Sequence, residues 1–415
     1  MNPCRRWDLL AALPAFLAAA CGAPEPPEST GGVDVVPGVC GRGAVVVSSD
    51  YLSTNVSLID IDARVLSDSL LSSATSSAGL SAALSGDVVL PSSAADGDEL
   101  VLIDRYPGSI LTWVRLRDAK VTRQLSVKTG FAANPQDYLE LADGRAYVTR
   151  FEPNRKPGSE PYDGGDDIVI LDAGRSEIVG RIDLSSSLSG APAGVFVRPS
   201  RMVRVGNHVI VLSQSYDKGF AGAASRLIRV DTEHDSVVDT RVLVGTESCV
   251  AMALSPNQET LAVSCAGRFV DGVPTPDSSF VVLLRTSSME ELGRVSATDL
   301  GGAPFSFGIG FLADNQLVIS QFGAVGSQLE ATRPDSVSVV RLPSLQASEV
   351  LRSDGEAFVL GDVRCFPECA RCFVADAEHG SVRQLRLEAD GSVQLVGNTA
   401  VGATIGLAPR NLGAF

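Results

Sequence analysis

The residues best equipped for chemistry are the cysteines, one run of carboxylates and a set of aromatics at similar points along the chain. Of eight cysteines, six follow Cys21: Cys40, Cys249, Cys265, Cys365, Cys369 and Cys372. An even set in an oxidising compartment suggests three disulfides. Cys249 and Cys265 stand equally far from Asn257, which centres a turn, so a hairpin folded there sets them opposite each other. Opposed residues lie about 4.5–5.5 Å apart at Cα, within disulfide reach. The other four leave their connectivity open. One arrangement pairs Cys365 with Cys372 across a tight hairpin and leaves Cys369 for Cys40, which would staple the two ends of the domain. Zinc held with His379 is an alternative use of the cysteine trio. Glu160, Asp163, Asp166 and Asp167 could hold calcium through carboxylates, or form a solvated acidic loop. No cofactor other than calcium is expected. The three histidines, His208, His234 and His379, do not fall into a Ser/His/Asp spacing, and there is no nucleophile elbow.

The elements that must position these groups come from a repeat. An apolar run ends in a charged residue and a turn at residues 56–62, 100–104, 168–172, 227–231, 281–285, 337–342 and 382–387. Each run is a strand by its β-branched content and length. Another strand precedes each, at 44–47, 88–90, 146–149, 209–212, 261–264, 317–320 and 372–375. Weaker outer strands follow most of them, as at 178–182 and 237–242, and no long stretch carries a helical period. Seven units of about 54 residues with four strands each predict an all-β, seven-bladed β-propeller of four antiparallel strands per blade, one domain over residues 40–415. In the second unit, 111–116 and 121–127 compete for the outer strand. The first unit starts without a first strand, and the tail at 403–415 looks like a first strand with no unit after it. The tail is therefore expected to join the N-terminal blade and remove the open edge.

Tyr147-Val148-Thr149 before the 168–172 strand, Ser255-Pro256-Asn257 before Leu261-Ala262-Val263, and Asn134-Pro135-Gln136-Asp137 before Ala146-Tyr147 carry a resemblance. The chain resembles the YVTN-type, YncE-like exported propellers over most of residues 40–415, with Arg150 where the motif has Asn. Such a resemblance speaks to fold far more than to activity, because the architecture hosts many roles. The spacing of Cys365, Cys369 and Cys372 also matches the iron–sulfur motif of radical enzymes that use S-adenosylmethionine. Those clusters need a reducing cytoplasm and a strand–helix barrel, and this chain offers neither.

The amino end gives an address. Arg5 and Arg6 precede an apolar stretch too short to span a bilayer, so residues 1–20 form an export signal. Leu17-Ala18-Ala19-Ala20-Cys21-Gly22 resembles a bacterial lipobox. That resemblance implies a lipid on Cys21 and, with Gly22 after it, sorting to the outer membrane. Ordinary cleavage near Ala20 is the alternative. Residues 21–39, rich in Pro, Gly and Glu, read as a tether.

Four consecutive units carry long polar insertions between their second and third strands, at 152–166, 215–224, 268–278 and 322–334. In a propeller these loops share one face, which marks it as the binding side. Tyr51, Phe151, Tyr216, Phe269 and Phe322 follow the second strand, and Tyr162 lies in the first insertion. They would form a ring of stacking surfaces around a funnel, or merely cap the layers between blades. Deleting 152–166 is expected to spare stability and abolish binding. The net charge of −15 excludes a nucleic-acid binder. What remains is a monomeric, lipid-anchored binding or scaffold protein, its partners the membrane and a protein or polysaccharide ligand. The alternative is an envelope enzyme, a lactonase-like hydrolase or a metal- or cofactor-dependent one. A quinone enzyme of this shape would show a Trp in each blade, and only Trp7 and Trp113 occur.

Overall fold

The computed structural model describes residues 31–75, 78–270, 273–325 and 331–415. The residues read as an export signal and Cys21 lie outside the described residues. Seven four-stranded antiparallel sheets form the ring, with two short two-stranded ribbons beside it. The middle strands are apolar runs because both of their faces are covered. In blade one, Ala44–Ser49 sends Val45 and Val47 into the layer against blade two, while Ala44 and Val46 enter the layer against blade seven. This is the period-2 alternation of a strand serving two cores at once. Seven such layers close the circle.

The closure is made by the tail. Pro409–Ala414 is the innermost strand of blade one, with Val46 opposite Leu412 and Val45 opposite Gly413. Outward from it lie Ala44–Ser49, Thr54–Ile59 and Val65–Ser72. Every strand of this sheet but one thus comes from the start of the chain.

Blade two differs from the sequence reading by one strand. Val88–Val89 is its short innermost strand, and Glu99–Asp104 is the second rather than the third. Ile110–Arg115 and Lys120–Ser126 do not compete, since they are the third and outer strands. The reason is packing. Val101 and Ile103 fill the layer towards blade three while Leu100 and Leu102 fill the layer towards blade one, so this run is covered as fully as any third strand.

Three disulfides join Cys249 to Cys265, Cys365 to Cys372 and Cys40 to Cys369. The first two link opposed residues of neighbouring strands. The third ties the segment entering blade one to the first hairpin turn of blade seven, with Cα atoms 5.9 Å apart. All six cysteines are spent, so zinc through the trio is corrected. His379 also sits past the far end of Arg371–Asp376, away from Cys372. Replacing Cys40 and Cys369 together by Ser should lower stability by roughly 2–4 kcal/mol, because the bridge restrains a very long unfolded loop. A Tm unchanged by that double substitution, compared without reductant, would contradict this account.

The segment taken as a tether is partly seated on the ring. The Val33 amide donates to Leu116 O at 2.8 Å, and Val33 packs on the layer between blades one and two. Arg42 donates through its amide to Phe415 O at 2.9 Å and through Nε to Val35 O at 3.0 Å. Leu116, Phe415 and Cys369 all lie on the side of the ring opposite the insertions.

Candidate functional site

The second-to-third-strand loops emerge together on one face, and the long ones belong to blades three to six. Their bases are strand rather than loop. In blade three the second and third strands run as Arg145–Pro153 and Gly165–Asp172, so Glu152 and Asp166 are strand residues at an irregularity in the ladder. In blade five a small ribbon pairs Phe269 with Pro274 and Val270 with Val273.

Phe151, Tyr216 and Phe269, from blades three, four and five, converge on a single cleft of about 640 Å³. Phe220, Gln214, Glu247, Ser248 and Arg268 complete its main lining. The Tyr216 and Phe220 rings sit 6.0 Å apart. Tyr216 is held by its backbone, its carbonyl accepting from the Phe196 amide at 2.8 Å. Burial pushes its phenol above the usual range, so it presents a neutral hydroxyl. Glu247 accepts from Arg268 Nη2 at 3.1 Å, which places a charge pair at the polar edge of an aromatic floor.

Under that floor lies Arg198, 1% exposed. Its guanidinium carbon is 5.0 Å from the Phe151 ring, 5.6 Å from Phe196 and 4.8 Å from Phe220. It pairs with Glu152 through Nη1. A caged cation fixes the rings around it, each contact contributing on the order of 0.5–2 kcal/mol. Arg198, Phe220 and Glu247 were missed by sequence reasoning. The charged residues carry no motif, and Phe220 does not follow its strand directly.

The other aromatics do not complete a ring. Phe322 is buried, its centroid 5.5 Å from both Phe307 and Phe358, where it seals blades six and seven. Tyr51, on the remote side of the face, lies under Arg410 at 4.8 Å. Tyr162 points outward and donates its hydroxyl to Val179 O at 3.0 Å. The expected ring of stacking surfaces is therefore one cluster of three with separate caps.

Three carboxylates of the acidic run, those of Asp163, Asp166 and Asp167, are engaged by the protein itself. Asp163 accepts from the amides of Gly158, Ser159 and Glu160, and these bonds hold its carboxyl below the usual range. Asp166 accepts from the Val197 and Arg198 amides across to blade four. Burial nonetheless pushes it up to about 6. Asp167 takes a two-pronged bond from Arg150 and a third from Arg181. Glu160 contributes its amide to Asp163. The insertion therefore braces blades three and four, and deleting 152–166 would cost stability, contrary to the sequence expectation.

A second cleft of about 560 Å³ flanks the blade-three insertion on its other side, lined by Tyr106, Phe131, Asn134, Glu152, Asn154 and Lys156 among others. Phe151 and Glu152 are thus neighbours in sequence that face different clefts, as successive strand residues must. Among the described residues the one tight group of metal-type ligands is Asp376, Glu378 and His379, at the same face in blade seven. Arg383 already occupies it, donating to Asp376 Oδ2 at 2.6 Å. His208 begins the second strand of blade four, and His234 pairs with Asp231 in an exposed turn, both far from the clefts.

No protein-family model matches the chain, and no curated protein matches it. Solved structures similar to it share the propeller fold. One is a protein from Lactobacillus plantarum, 11% identical, with a TM-score of 0.55 over 89% of this chain and 98% of that one. Another is a putative 6-phosphogluconolactonase from Bacteroides uniformis, 10% identical, with a TM-score of 0.54 over 89% and 98%. A third is hydrazine synthase from Kuenenia stuttgartiensis, 13% identical, with a TM-score of 0.52 over 74% and 85%. At these identities the likeness is one of architecture.

Proposed function

We propose that this chain is an exported, lipid-anchored binding propeller, akin to the YVTN-type group, that takes a polysaccharide on its insert face. The observation that carries this reading is the Phe151–Tyr216–Phe220–Phe269 cleft with Gln214, Ser248 and the Glu247–Arg268 pair at its edge. Aromatic faces beside a few polar groups suit pyranose rings, whose C–H faces stack while their hydroxyls bond. The adjoining cleft across the Phe151–Glu152 ridge favours an extended ligand over a compact one. The described N-terminal segment runs on the opposite side of the ring, so a lipid on Cys21 would leave the insert face directed away from the membrane.

The lactonase-like alternative has less to stand on. The described lining of the cleft has no histidine, and its one carboxylate, Glu247, is paired with Arg268. Screening the purified chain on a glycan array is expected to give hits that Phe269→Ala together with Tyr216→Ala weakens at least tenfold, with Tm nearly unchanged for Phe269→Ala alone. Lactone turnover lost in the same variants, without glycan binding, would move the assignment to the enzyme.

A further inference from the structure

The axis of the ring holds a second polar site, apart from the aromatic cleft of blades three to five. Its narrow cavity, about 60 Å³, is lined by Leu90–Ser92, Arg201, Met252, Phe307, Asp362 and Arg364 among others. It continues towards the face opposite the insertions into a wider lobe of about 260 Å³ that shares Ser92, Met252 and Arg364.

Two carboxylates and two guanidiniums meet here without pairing. Asp137 accepts from the Ser92 amide at 2.8 Å, Ser92 Oγ at 2.6 Å, the Met202 amide at 2.7 Å and the Tyr138 amide at 2.9 Å. Asp362 accepts from the amides of Val363 at 2.9 Å and Leu412 at 3.3 Å. The carboxylates are thus met by backbone donors, and burial pushes both above their usual range. The two cations feel these carboxylates at a distance but make few hydrogen bonds of their own. Arg364 has one bond, Nη1 to Ser92 O at 2.7 Å, and its buried Nε has no partner. Arg201 has one, Nη1 to Leu90 O at 3.3 Å. Neither lies within 4.0 Å of a carboxylate oxygen among the described residues.

A guanidinium carries five N–H donors in a rigid fork; Arg364 Nε is buried without a partner, and the two partly buried side chains turn their remaining donors to the channel. We propose that the axial channel is a binding site for a small oxyanion, held between Arg201 and Arg364. The fork geometry matches phosphate, sulfate or a carboxylate. The size sets the guest: a water needs roughly 10–15 Å³ of such space, so the narrow part of about 60 Å³ between the arginines holds an ionic group of a few heavy atoms. Phe307, Ile309 and Val363 supply apolar walls that strengthen the charge contacts. The lobe offers a way in from the side where the N-terminal segment lies.

The test is calorimetric titration of the purified chain with inorganic phosphate, sulfate and acetate at constant ionic strength, with chloride as the control. Saturable heat from at least one oxyanion and none from chloride is expected. Arg364→Lys, which keeps the charge and removes the fork, should weaken binding at least tenfold, and Arg201→Gln should do the same. Equal affinities for wild type and Arg364→Lys, or a response no different from chloride, would overturn the proposal. Should Arg201→Gln fail to fold, a selenate soak of wild-type crystals decides the matter. Density between Arg201 and Arg364 supports the site, and selenium found only elsewhere rejects it.

Discussion

A chain ending before Pro409 is expected to lose at least about 5 kcal/mol of stability and to melt broadly at a much lower temperature. The removed segment is the innermost strand of blade one, and its ladder to Ala44–Ser49 runs from Ala44–Ala414 to Ser48–Pro409. It carries Leu412, 4% exposed, and Phe415, 6% exposed, which enter the layers against blades seven and two respectively. Burying each such side chain contributes about 1.5–3 kcal/mol. Loss of the strand also bares the edge of Ala44–Ser49, whose apolar first four residues invite pairing with other chains. Leu412→Ala, which keeps the strand, should cost about 2–5 kcal/mol. The Cys40–Cys369 bridge still holds blade one beside blade seven in the truncated chain. Its reduction should therefore lower the truncated chain's Tm further. Thermal unfolding with and without reductant measures both, and a truncated chain melting within a few degrees of wild type would mean that the ring closes by another route.

Arg150→Ala should cost about 3–5 kcal/mol, a large effect for one side chain. Arg150 and Asp167 are both fully buried, bonded from Nε and Nη2 to the two carboxylate oxygens at 2.7 Å each. Arg150 further donates through Nη1 to Thr129 Oγ1 and through Nη2 to Tyr162 O, both at 2.6 Å. Its truncation leaves Asp167 as a buried charge with only the half-exposed Arg181 beside it, which is why breaking a buried pair costs more than the pair is worth. Replacing both partners, Arg150→Met with Asp167→Leu, should recover much of the loss. Denaturant unfolding of the two variants tests this, and a single-variant cost below about 1 kcal/mol would show that water or Arg181 compensates. The bond to Tyr162 O adds a functional consequence. The insertion carrying Asp163 and Asp166 should loosen in Arg150→Ala, and glycan binding at the neighbouring cleft should weaken with it.

Position 150 also shows how far the chain is legible. As sequence it was a departure from a repeat motif; in the fold it is the buried anchor of an insertion. The repeat itself could be read because every middle strand faces two apolar layers, so runs such as Val45–Val47 and Val281–Leu284 carry their environment in their composition. The closing strand was legible because the first unit lacks what the tail supplies, and Cys249–Cys265 because both flank one short hairpin. These are short-range or periodic facts. Only the tertiary structure decided that Phe151, Tyr216 and Phe269 meet while Phe322 and Tyr51 do not, and that Asp163, Asp166 and Asp167 brace the ring. It alone brought Arg198 beneath three rings and set Arg201 and Arg364 on the axis with no ion pair among the described residues. The physical reason is that most of these partners stand many residues apart and several come from different blades. Which side chains then face one another follows from the twist of each sheet and the angle at which neighbouring blades pack, and no local pattern in the chain encodes either.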